Sequence, residues 1–513
     1  MLALVGIVGV FVIGGTFYAQ QSPYTKTQSF ITTIKRITYS IAYAADATLS
    51  NNVPYSSTLA STSTISIPVL AYHGIISHED GSLINLTEAQ FKDQMFALKK
   101  AGYHTISIDE LYAYATRHTA LPKKPVVITF DDGRSDSFYN GDPILAALGF
   151  KANMFVITSF AENAKPGSYY LSPQELQMVE ATGRWTIGSH SANGHSAYPI
   201  DGSGTQGHFF ADHLWLAHKG RTETDAEFLA RITGDFNSSH DYLANLLHVP
   251  VTGFAFPYGD FGQSIANDPS RATEVIRSAS SVYDMLFYQY EPSQYFTQFT
   301  SNEYATGTAL VHRIDVSNSV SGDELVRALE HGAQKRLPYS DDFAENNGWL
   351  SVWGMHTIDH DVLSMQAAPD QSGAGVILDG SQSWQDYTVH ATMTSPHQTG
   401  VFLWTRFTGD DQYAGCNFGI NFVHIEETIN GKVHVLKGIS MQNVIPAGSF
   451  TISSTVRGRS MSCSINGKEV ISTDFLDPSL TRGGTGIKIW DQTLGKSAVE
   501  LTNFSVDPAP AAL

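Results

Sequence analysis

The stretch Val126-Val127-Ile128-Thr129-Phe130-Asp131-Asp132-Gly133 decides how the chain is read. A run rich in β-branched residues favours a strand, and Asp-Gly at its end is a turn signal. Side chains of an extended segment face alternate sides, and a turn can re-aim them. Two adjacent carboxylates delivered this way can take different tasks, one holding a cation and the other accepting a proton. A plain surface turn has the same local sequence, so the weight falls on what accompanies it.

Around this stretch, short apolar runs alternate with helical patterns. Ile67–Tyr72 reads as a strand followed by His73-Gly74, and Thr87–Gly102 as a capped helix. Ala152–Ile157, Val251–Phe256, Ala309–Val316 and Trp349–Met355 are further strand candidates. Helices are expected around Pro143–Leu148, Glu223–Leu247 and Asp323–Gln334. Strand–helix alternation over ~300 residues indicates an α/β layer or barrel. After about Ala368 the pattern changes. Tyr387–Met393 alternates with period two, and Asn430-Gly431 and Asn466-Gly467 are hairpin turns. This is the pattern of an all-β sandwich of the jelly-roll type. In it, Trp384 and Trp404 read as core.

The 513 residues exceed one ordinary domain. Lys+Arg 31 against Asp+Glu 49 gives a net charge of −18, a balance that repels phosphate backbones and argues against nucleic-acid binding. Cys416 and Cys463 are too few for a disulfide scaffold, and the sequence leaves their pairing open. Leu2–Ala19 is nearly uninterrupted apolar sequence, about the length that crosses a bilayer. An exported, membrane-tethered protein with its globular part outside the cytoplasm is the expectation, with 1–19 as anchor or signal and 20–65 as a linker.

Gly188-Ser189-His190-Ser191-Ala192-Asn193-Gly194-His195 is the second informative segment. Histidines five apart lie roughly 140° apart on a helix, but in a turn both imidazoles can converge. Two imidazoles and one carboxylate form a facial ligand set with open positions, as catalytic zinc requires. Phe254–Asp260 reads as a strand ended by the Pro257 turn, and Trp349–His356 as an apolar strand ending in a histidine. Residues 199–222, with His208, His213 and His218, read as a loop insertion rather than a second metal site.

In this order the motifs resemble the polysaccharide deacetylases of carbohydrate esterase family 4, over about residues 66–365. IPVLAYHG at 67–74 and LTEAQFKDQMFALKKAGYHTISIDEL at 86–111 are similar to the subgroup acting on poly-N-acetylglucosamine. The resemblance implies a distorted (β/α)7 barrel with its site at the carboxyl ends of the strands. It implies Asp131 as catalytic base and Asp132, His190 and His195 as ligands of a divalent metal, zinc by expectation. Tyr258 matches the backbone N–H that helps hold the oxyanion. His356 matches the general acid, and Asp315 the carboxylate that orients it. His73, Pro257, Tyr258 and Trp353 are candidates to line the substrate groove. Many members hold the base with an arginine where this chain has Ala255, and either Arg313 or Arg221 is a candidate substitute. The implied partner is an N-acetylated polysaccharide, with residues 369–513 a β-sandwich that binds sugar or acts as a spacer. Peptidoglycan or chitin as substrate, or an inactive carbohydrate-binding barrel, are the alternatives.

Overall fold

The computed structural model describes residues 23–49, 66–263, 266–289, 302–303, 310–394, 399–409, 411–442, 444 and 448–510. The apolar run Leu2–Ala19 and residues 50–65 of the expected linker lie outside them. Among the described residues no helix is long and apolar enough to cross a membrane.

The chain divides into two compact units, the boundary falling at Val326/Arg327. The first is built on eight parallel strands: β1 (Val69–Tyr72), β2 (His104–Ile106), β3 (Pro125–Phe130), β4 (Ala152–Val156), β5 (Trp185–Ser189), β6 (Gly253–Ala255), β7 (Met285–Gln289) and β8 (Leu310–Asp315). Their order is β1-β8-β7-β6-β5-β4-β3, and β3 pairs back onto β1 with Val69 opposite Val127. Seven strands therefore close a ring, and β2 pairs with the first half of β3. This is the (β/α)7 barrel. Val69, Val127, Phe155, Ala255, Phe287 and Val311 fill its interior as one apolar cluster. Burial on both faces explains why β3 reads as a continuous apolar run instead of an alternating one.

The helices are α1 (Pro23–Leu49), α2 (Glu88–Lys100), α3 (Ile108–Arg117), α4 (Ser135–Leu148), α5 (Thr158–Asn163), α6 (Pro173–Glu180), α7 (Asp225–Leu247), α8 (Ala272–Ser280) and α9 (Gly322–His331). Thr87 and Thr224 begin α2 and α7 with reciprocal capping boxes to Gln90 and Glu227. The linker expectation is corrected over 23–49. Its Ser- and Thr-rich composition hides a helix that tertiary contacts hold: Lys35 Nζ donates to Glu88 at 2.7 Å and Asn140 at 3.0 Å, and Tyr43 stands edge-on to Phe96 at 5.1 Å.

The second unit is an antiparallel sandwich of two sheets around a core that includes Trp349, Trp384, Tyr387 and Phe504. A disulfide from Cys416 to Cys463 joins a strand of one sheet to a strand of the other. Trp404 and Arg406 are buried as well. Two further expectations are corrected here. Trp349–Trp353 pairs with Gly373–Leu378, and Met355–Asp359 with Val362–Gln366, so both strands belong to the sandwich. The barrel is closed by Leu310–Asp315 without them, and the deacetylase-like unit ends before residue 365. An apolar strand reads the same in either sheet; its partner is set by long-range pairing that local sequence does not carry.

Candidate active site

The carboxyl ends of the strands bring the candidate residues together. β1 is followed by His73, β3 by Asp131 and Asp132, β5 by His190, and β6 by the turn Pro257–Gly259; β7 ends in Gln289 and β8 in Asp315. Val127, Thr129 and Asp131 alternate along β3, which places Asp131 above the apolar interior. The chain then turns sharply, Asp132 and Gly133 both at φ 72°, and sends the second carboxylate elsewhere. The left-handed turn is what separates the two aspartates.

Asp131 is fully buried and gripped from below. Arg313, on β8 and also fully buried, donates to both its oxygens at 2.6 and 2.7 Å, to Thr129 Oγ1 at 3.1 Å, and to Gln289 Oε1. Burial pushes the Asp131 carboxyl up, but the charges of Arg313 and His190 and the Arg313 hydrogen bond outweigh it, so it stays ionised below the usual carboxylate range. Of the two candidate substitutes for the missing arginine, Arg313 takes the place. Arg221 is exposed and pairs with Glu227 instead.

Asp132, His190 and His195 offer ligand atoms within 4.8 Å of one another. Asp132 Oδ1 is buried, 3.2 Å from His195 Nε2 and 3.8 Å from His190 Nε2, without an aligned hydrogen bond to either. His190 Nδ1 lies 2.8 Å from the Ala255 carbonyl, which can only accept, so Nε2 keeps its lone pair. The histidine loop is pinned by Asp235 of α7, which accepts from the Ala192 and Asn193 N–H groups at 2.9 and 2.7 Å. The donor set fits a divalent cation.

The two imidazoles titrate differently. Burial carries His190 down to about 4. At His195, burial is outweighed by contact with the Asp132 carboxylate, and its value rises. Cation binding needs both rings neutral. Between the usual 6.5 and about 4 the His190 ring has no proton to release, and His195 has one. Affinity is therefore expected to fall about tenfold per pH unit on acidification there, rather than the hundredfold of two releasing imidazoles. Zinc competition titrations between pH 6 and 5 read that slope directly.

His73 stands between two carboxylates, Nε2 4.0 Å from Asp131 Oδ2 and Nδ1 3.7 Å from Asp315 Oδ1. Asp315 thus attends His73. His356 lies in the second unit, its Nδ1 2.6 Å from Ser351 Oγ, and is not among the barrel residues gathered at the strand ends. Trp353 is also a residue of the second unit, edge-on to Trp404 at 5.5 Å. Pro257 is buried at the start of the β6 turn. That turn holds Tyr258 at φ 60°; its own hydrogen bonds come from the Gly259 and Asp260 N–H groups, so Tyr258 N–H is in neither. A side chain on Gly259 would lie 2.0 Å from the Gln289 carbonyl, so only glycine fits.

His208 of the insertion stacks on Tyr258 at 4.5 Å and shares 2.6 Å with Asp260 Oδ2, an arrangement composition alone did not reveal. Exposure rises through the site: Arg313 and Asp131 0%, His190 1%, Asp132 15%, His195 25%, Tyr258 38%.

A parallel barrel that gathers two carboxylates and two imidazoles at its strand ends is an arrangement able to hold a divalent cation beside a general base. Residues 118–273 match the family described as polysaccharide deacetylase. It is 24% identical over 192 residues to the poly-beta-1,6-N-acetyl-D-glucosamine N-deacetylase of Escherichia coli (strain K12), covering 35% of this chain and 29% of that one. It is 24% identical over 176 residues to the enzyme of that name from Staphylococcus aureus (strain MRSA252), covering 34% of this chain and 54% of that one. The match thus spans less than two thirds of either relative. A solved de-N-acetylase from Aggregatibacter actinomycetemcomitans superposes with a TM-score of 0.44 at 20% identity, over 51% of this chain and 98% of that one.

Proposed function

We propose that the chain hydrolyses N-acetyl groups from an extracellular N-acetylglucosamine polymer, poly-N-acetylglucosamine before chitin or peptidoglycan, and releases acetate. The convergence of Asp131, Asp132, His190, His195 and His73 at one end of the barrel carries this reading. The names of the two relatives support the polymer.

Asp132, His190 and His195 would hold the divalent cation, zinc by donor type, which when bound polarises a carbonyl and acidifies water. Asp131, kept ionised by Arg313, is the base that takes a proton from the attacking water. Tyr258 N–H would donate to the developing oxyanion. His73, with Asp315 and Asp131 beside it, is placed to carry the proton that the departing amine needs. His73→Ala is expected to lower kcat by about 10²–10⁴-fold, and His356→Ala to leave it unchanged. The reverse result would restore His356 as the acid. The function itself is tested by acetate release from poly-N-acetylglucosamine, chitooligosaccharides and peptidoglycan, with and without chelator. Release from none of them would sink it; release from another polymer would move the substrate.

We place the protein outside the cytoplasm, tethered through Leu2–Ala19. The Cys416–Cys463 disulfide supports an oxidising compartment. Fractionation that recovers the chain in the cytosol would overturn this.

A further inference from the structure

A second set of ligand-type side chains lies in the first unit. The insertion forms two small ladders, Ala197–Pro199 with Gln206–His208 and Trp215–Leu216 with Arg221–Thr222, and His213 stands between them. Asp225 is the first residue of α7, and Asp268 precedes the turn Pro269–Arg271. One ligand atom from each of His213, Asp225 and Asp268 lies within 4.8 Å of the other two.

The imidazole is the informative member. His213 is 8% exposed. Its Nδ1 is 2.9 Å from the Glu223 carbonyl, so Nδ1 carries the proton and Nε2 the lone pair. That Nε2 is buried, has no hydrogen-bond partner among the described residues, and lies 3.8 Å from Asp225 Oδ1. The ring cannot easily turn away, because it stacks flat on Phe228 at 4.7 Å and its backbone N–H donates to Asn267 Oδ1 at 2.9 Å. His190 shows the same pattern at the strand ends, Nδ1 on a carbonyl at 2.8 Å and Nε2 3.8 Å from a carboxylate oxygen. A carbonyl behind the ring fixes the tautomer and points the free nitrogen at a cation.

Arg271 is the competing account of the two carboxylates. Its guanidinium donates to Asp225 Oδ2, to Asp268 Oδ2 at 3.1 Å and to Glu274 at 2.9 Å. Asp268 Oδ1 accepts from Ser270, at 2.6 Å from its hydroxyl. These contacts balance charge but leave the His213 lone pair unanswered and Asp225 Oδ1 facing it. An imidazole with carboxylates favours a transition cation over calcium or magnesium.

We propose that His213, Asp225 and Asp268 form a second divalent-cation site of the zinc type, which ties the insertion to the start of α7 and to the turn before α8. The test uses the full chain, stripped with chelator and titrated with Zn2+ alone, bound metal being counted by plasma mass spectrometry. The native protein is expected to bind two equivalents, and the Asp132→Asn/His195→Ala variant one. Adding Asp225→Asn or His213→Gln to that variant should remove the last equivalent and the zinc-dependent rise in Tm. Asp225 is 56% exposed, so its asparagine variant tests the site without disturbing a core. Asp225→Asn alone should release acetate at the native rate. If the Asp132→Asn/His195→Ala variant binds no zinc, or keeps its equivalent through both added changes, the site does not exist.

Discussion

Asp131→Asn is expected to lower acetate release by about 10²–10⁴-fold while the protein keeps its bound metal and fold. Asparagine preserves the shape beneath the site and can still accept from Arg313, but it cannot take a proton from water. The proposed ligands Asp132, His190 and His195 are untouched, so metal content separates loss of the base from loss of the cation. Retention of activity within tenfold would refute Asp131 as the base. The same carboxylate also contributes to folding. Its native value lies below the usual 3.8, so its stabilising share is present above that pH and fades as pH falls through the lowered value.

Arg313→Met should damage both folding and turnover. It strands Asp131 as a buried charge without its bidentate partner, a change that destabilises by about 3–5 kcal/mol. With Arg313 gone, burial acts on the carboxyl with much less opposition and pushes its value up. Activity that survives should therefore move to higher pH, where the base is ionised again. Arg313→Lys should recover only part of either property, because one ammonium cannot reproduce the two-pronged contact. The double variant Asp131→Asn/Arg313→Met removes both charges and should regain most of the lost stability but none of the rate. Chemical unfolding with pH–rate profiles distinguishes these outcomes; an Arg313→Met protein as stable and as active as the native one would dismiss the role given to Arg313.

What the sequence made legible is what neighbouring residues hold by themselves. Thr129–Gly133 advertises a strand, a turn and two carboxylates, and the structure builds those features within that segment. His190 and His195 lie in one loop, so their convergence also follows from nearby residues. The support of Asp131 does not. Arg313 reaches it only because β8 lies beside β1 while β1 lies beside β3, a fact of ring closure (182 residues separate the pair). His73 and His356 each follow an apolar run, and the sequence offered His356 as the acid and His73 only as a groove residue. They differ in which sheet accepted that strand, and no local signal records the choice. The helix α1 was missed for a related reason: its polar composition argues for a spacer, and residues far along the chain, among them Glu88, Phe96, Lys100 and Asn140, make it a packed element.

The outward rise in exposure bears on how such a protein can diverge. Arg313, Asp131 and His190 share their packing with the interior that closes the ring, so drift at these positions disturbs folding before it can explore new chemistry. Tyr258 and His208 stand where a side chain can be exchanged without opening the interior. Descendants with altered specificity should therefore carry an unchanged floor beneath a rewritten rim, with Tyr258 and His208 among the first positions to change.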